Sequence, residues 1–110
     1  IMAQTDGTLS NKQAINGPRG KNHFGVYHAP LFIWSDTAYA RLEPERQQRS
    51  GVVEGIKNVF ISQEGPHGIE CLLEAWRAEG CYPPLIRRLI ESKLAILDKD
   101  PTERGYGIVL

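Results

Sequence analysis

Two cysteines in 110 residues, Cys71 and Cys81, are too few for a disulfide framework and fit a reducing compartment. Long apolar runs are also missing. None approaches the roughly 20 residues that a membrane-spanning helix requires, and the opening Ile1–Asp6 has neither a charged leader nor an apolar signal core. A cytoplasmic chain with no membrane partner is therefore expected. Net charge is absent too, with 13 basic residues against 13 acidic ones. That balance hides a gradient. Residues 1–35 carry three bases against one acid, while 36–66 and 67–110 each carry one more acid than base. Only the amino-terminal region is basic.

What remains is an ordinary globular composition, 41% apolar and 24% charged, of a size that suits one domain with a modest core. Residues 1–22 are polar and rich in Gly, Asn and Thr, which predicts a flexible basic arm ahead of a single α+β domain over 23–110. Within that arm, Asn16-Gly-Pro-Arg-Gly-Lys-Asn22 ends in Gly-Lys as a phosphate loop does. Ile15 stands where the first glycine belongs and Asn22 replaces the Ser or Thr, so a basic turn is the expectation.

Phe24–Trp34 is rich in β-formers and broken by Pro30, which predicts an extra N-terminal edge strand or two short ones. Ser35 and Asp36 are good helix caps for Thr37–Leu42, and Pro44 either ends that helix or opens the next. Val52, Val53 and Ile56 give a middle helix interrupted by Gly51 and Gly55, and Asn58–Ser62 reads as a short strand. From Ile69 the period becomes helical, with Ile69, Leu72, Leu73 and Trp76 at i, i+3, i+4 and i+7. Gly80 stops that helix and Pro83-Pro84 opens another, on which Leu85, Ile86, Leu89 and Ile90 face the core. Arg87, Arg88, Glu91 and Ser92 are then left pointing outward. The region after Lys93 divides into a helix over 84–92 and a strand over 94–97, with a single helix to Leu97 as the alternative. Asp98–Gly105 carries turn signals and Tyr106–Leu110 closes a β-hairpin.

Helix, short strand, two helices and a β-hairpin is an order that resembles the winged helix-turn-helix superfamily. The turn Asp98-Lys-Asp-Pro-Thr-Glu-Arg104 is similar to the wing of MarR-type regulators, whose pattern is Asp-Pro-x-Asp-Arg-Arg. Asp100, Pro101 and Arg104 match it, Glu103 stands for the second Asp and Gly105 for the last Arg. The resemblance implies a small DNA-binding protein of regulatory or accessory type, in which Arg104 enters the minor groove. Arg87 and Arg88 would then read the major groove, and Arg19 and Lys21 of the arm would add phosphate contacts. The competing reading of the same helix is a solvated surface on which Glu91 pairs with Arg87 and Arg88.

The alternative function is a protein-interaction module such as an inhibitor, an immunity protein or a complex subunit, which the zero net charge favours because counterion release would contribute little. The expected partner is thus DNA or a protein, with a homodimer as one possible arrangement. An enzyme using His28 or His67 ranks last, because no acid, base or nucleophile converges on either in the sequence. His67 and Cys71 can share a helix face with Cys81 as a third soft ligand, but zinc wants a fourth and none is apparent. No catalytic residue, metal or cofactor is expected.

Overall fold

A computed structural model describes residues 1–78 and 82–105. In chain order it has a π-helical turn at Ala3–Gly7, strands β1 (Lys12–Gly17) and β2 (Gly20–Tyr27), and a 3-10 helix at Thr37–Leu42. Helices α1 (Glu45–Ile61), α2 (Gly65–Arg77) and α3 (Tyr82–Lys99) follow. These are the elements of an α+β chain. The strands form an antiparallel two-stranded ribbon in which Lys12 faces Tyr27 and Ile15 faces Phe24, with an irregularity before Gly17. The turn that joins them holds Gly17-Pro-Arg-Gly20, so the Gly-Lys stretch is the tip of a hairpin. Residues 1–22, expected as an arm, thus contain the π-helical turn, β1 and the start of β2.

The core lies among the three helices. Val52 and Val59 of α1, Leu72 of α2, and Leu85, Ile86 and Leu89 of α3 are buried together, and Ala40 of the 3-10 helix and Ile1 close the same cluster. Ile69 and Trp76 of α2 pack on it partly buried. The helical spacing read for α2 and for the apolar arc of α3 is therefore the packing that occurs. Helix α1 approaches α3 so closely at Gly55 that a Cβ there would overlap Leu89 Cδ2. This glycine interrupts the apolar pattern of the sequence and permits the contact.

Two expected strands are helical. Asn58–Ile61 is the last turn of α1, with Asn58 buried, and Ser62 follows as its C-cap. Leu94–Leu97 continues α3, where Ile96 is fully buried, so the single-helix alternative holds. Ser92, expected outward, is buried and its hydroxyl donates to the Leu89 carbonyl at 2.9 Å. Tyr82 is half-buried, its hydroxyl donating to Gln48 Oε1 at 3.2 Å. The 3-10 helix begins as expected at Asp36, whose carboxylate accepts from Ala38 N at 2.9 Å. Pro44 caps α1, its carbonyl accepting from Gln47 N and Gln48 N. Gly80, Cys81 and the second strand expected at 106–110 lie outside the described residues. Among the described residues no helix is long and apolar enough to cross a membrane.

Candidate active site

Helix α1 turns its apolar side to α2 and α3, which leaves Glu54 and Lys57 on its flank, three residues apart and joined as an ion pair. The π-helical turn and the ribbon come over this flank. The turn contributes Asp6, the start of β1 contributes Lys12, and β2 contributes Lys21 and Asn22. Lys93 reaches in from α3. Together they line a cleft of about 850 Å³.

Lys93 organises the cleft. Its side chain is 2% exposed, yet its ammonium donates to Asp6 Oδ1 at 2.5 Å and to the Asp6 carbonyl at 3.0 Å. A buried ammonium is tolerated only when paired and hydrogen-bonded, and Asp6 supplies both partners. The bond fastens the N-terminal turn to α3. Asn22 takes a left-handed backbone conformation at φ 54°, with its amide donating to Asn16 Oδ1 at 3.0 Å. Asparagine is one of the few residues that adopt this geometry readily. The kink falls next to Lys21 in the cleft wall.

Four lysines against two carboxylates give the lining a surplus of two positive charges in a protein whose total is zero. A concave wall of one sign concentrates the opposite charge. Chemically, ammonium groups hold anionic oxygens and donate to hydroxyls, while Asp6 and Glu54 accept hydrogen bonds from hydroxyls. Such alternation suits a small polyhydroxylated ligand bearing negative charge.

Of the residues expected to contact nucleic acid, Lys21 alone lines this cleft. Arg19 sits exposed at the hairpin tip, 3.2 Å from His23 Nε2. Arg87 is exposed on α3. Arg88 is half-buried and bonded to Glu64 of the α1–α2 turn, so it does not point outward. Arg104 lies over the Tyr27 ring, 5.7 Å from its centroid. The wing-like sequence is a turn that ends α3, closed by the Asp100 carboxylate, which accepts from Thr102 Oγ1 at 3.0 Å and Gly105 N at 2.8 Å. Asp-Pro-Thr suits this because aspartate bonds its own following backbone. Cys71 Sγ is 3.6 Å from His67 Nε2 on the exposed side of α2, and no group of three metal-ligating side chains occurs among the described residues. Sequence reasoning missed Asp6, Lys12, Glu54, Lys57 and Lys93. The only local signal was Glu54-x-x-Lys57 on a helix.

Comparison with known proteins finds several likenesses. Residues 1–50, which include Asp6, Lys12, Lys21 and Asn22, match the family model described as 3-dehydroquinate synthase N-terminal. More particularly, the whole chain is 35% identical to the 2-deoxy-scyllo-inosose synthase of Streptomyces kanamyceticus, of which it covers 29%. It is 34% identical to the 3-dehydroquinate synthase of Pelotomaculum thermopropionicum over 100% of this chain and 30% of that enzyme. The 2-deoxy-scyllo-inosose synthase of Niallia circulans is 31% identical over 99% of this chain and 30% of its own length. The chain thus spans about three-tenths of the length of these curated relatives. No solved structure matches it.

These likenesses overturn the winged helix-turn-helix and MarR resemblance, and with it the reading as a DNA-binding transcription regulator. They give no support to the interaction-module alternative either. The resemblance misled because two helices at a Gly-Pro corner are generic, while its wing rested on a short Asp-Pro turn.

Proposed function

We propose that this chain is a segment of a synthase of the dehydroquinate and deoxy-inosose class, and that it builds one wall of the active-site cleft. The observation that carries the reading is the convergence of Lys12, Lys21, Lys57 and Lys93 with Asp6 and Glu54 from five separate elements onto one cavity. Similarity over the whole chain to enzymes of these two names supports it. Dehydroquinate and 2-deoxy-scyllo-inosose are both polyhydroxylated ring ketones. Such molecules need several donors and acceptors set around a small volume, which this lining provides. The lysines orient the ligand's oxygens, and Asp6 and Glu54 accept hydrogen bonds from its hydroxyl groups. Dehydroquinate carries a carboxylate that the inosose lacks, so the two should differ in how much they draw on the lysines.

The test is titration of the full-length protein with 3-dehydroquinate and with 2-deoxy-scyllo-inosose, followed by NMR. One of the two ketones should bind, and Lys57→Met should weaken it about tenfold, the loss of one charge-assisted hydrogen bond. Binding of neither ketone, or binding indifferent to Lys57→Met and Lys12→Met, would remove the reading.

A further inference from the structure

Glu103 stands outside the cleft lining and takes no part in the recognition described above. Its side chain is 1% exposed. Its backbone has φ 51°, in the left-handed region that side chains other than Asn and Asp seldom adopt. The turn after α3 holds it there, with Glu103 N donating to the Asp100 carbonyl at 3.1 Å. Across from it stands the start of the ribbon. Asn11 Nδ2 donates to the Pro101 carbonyl at 2.8 Å, and Ser10 Oγ lies 3.1 and 3.0 Å from the two Glu103 carboxylate oxygens.

The Ser10 hydroxyl has one proton, which goes to the carboxylate, and its lone pair accepts the Lys12 amide at 3.0 Å. The Lys12 ammonium itself comes to 3.9 Å from Glu103 Oε2. Both ends of Lys12, backbone and ammonium, are therefore referred to one buried carboxylate. Lys12 is otherwise a long side chain, 36% exposed, on the ribbon of β1 and β2. Freed of an anchor, such a side chain spreads over many rotamers.

We propose that Glu103 is a positioning residue. It touches no ligand, and it holds Lys12 at the cleft wall through Ser10 and through its own charge. The functional consequence rests on the cleft being a ligand site, whereas the tie between Glu103 and Lys12 is measurable without that reading.

The experiment uses the full-length protein with its lysines carrying ¹³C-methyl labels, the Lys12 signal being assigned by its loss in Lys12→Met. Glu103→Gln should move the Lys12 signal toward the position of a freely exposed lysine and leave the Lys21 signal in place. Glu103→Asp, which keeps the charge, should bring it back at least in part. Inorganic phosphate titrated into the same samples should bind about fivefold more weakly to Glu103→Gln, a loss on the scale of one partly exposed ion pair. In a Lys12→Met background the same change should have no further effect, since coupled residues are not additive.

A folded Glu103→Gln protein whose Lys12 signal does not move overturns the proposal, as does full additivity with Lys12→Met. If Glu103→Gln does not fold, Ser10→Ala, which removes the hydroxyl between Glu103 and the Lys12 amide, decides: a displaced Lys12 signal beside an unmoved Lys21 supports the tie, and two unmoved signals sink it. Should wild-type protein bind no phosphate, the cleft reading fails and the Lys12 signal alone judges Glu103.

Discussion

Lys93 keeps its ammonium inside the protein because two oxygens of Asp6 meet it there. Removing the carboxylate charge while keeping the shape, in Asp6→Asn, strips the buried cation of its counter-charge. The cost of breaking a buried pair is about 3 kcal/mol, and urea denaturation should show a drop of that size with the slope of the transition unchanged. The exposed pair of Arg49 with Glu45 is the internal control. Both side chains there are largely in water, so Glu45→Gln should lower the unfolding free energy by less than about 0.5 kcal/mol. Equal effects from the two substitutions would mean that Lys93 is hydrated in solution and that the turn at Ala3–Gly7 is not fastened to α3.

At the scale of the element, α1 shows why parts of this fold were hard to read. Gly51 and Gly55 break its apolar spacing, yet both are buried where another part of the chain comes close. Glycine in a helix argues against the helix by propensity, and here tertiary contact overrides that argument. Gly55→Ala should gain about 1 kcal/mol of helix propensity and lose about 2 kcal/mol to overpacking against the fully buried Leu89. The expected result is a net loss of stability, visible as a lower Tm. A raised Tm would mean that α1 and α3 stand further apart than described.

Helix α2 was legible because its face is plainly periodic. The ribbon was not: β1 reads Lys-Gln-Ala-Ile-Asn-Gly and neither face of the pair is well covered, so no alternation marks it. Asn58–Ser62 looked like a strand because Val59-Phe60-Ile61 is β-rich. Burial of Val59 against the other helices settles it as helix instead. The cleft was nearly invisible for a different reason. Its charged members stand at positions 6, 12, 21, 54, 57 and 93, and beyond the i, i+3 pair of Glu54 and Lys57 no motif spacing relates them. Only the fold brings them together.

For the molecule as a whole, charge is balanced but unevenly placed, with the surplus of lysines gathered in one cleft. Small anions and nucleic acid should therefore respond differently. Phosphate binding should weaken severalfold as salt rises from about 20 to about 200 mM, because the Debye length shortens about threefold. Duplex DNA should show no comparable affinity at any salt, since a neutral chain without a basic stripe releases few counterions. Fluorescence anisotropy with labelled DNA beside a phosphate titration checks both, and tight salt-dependent DNA binding would contradict the assignment of Lys12, Lys21 and Lys57 to a small-molecule cleft. The ties that build the cleft also span most of the chain. Asp6 meets Lys93 across 87 positions, and Ser10 meets Glu103 across 93. Closing such loops costs chain entropy that only late contacts repay, whereas the turn between α1 and α2 is short. During synthesis Asp6 and Lys12 leave the ribosome long before Lys93 and Glu103 exist, so the hairpin must wait until α3 emerges to give it a place.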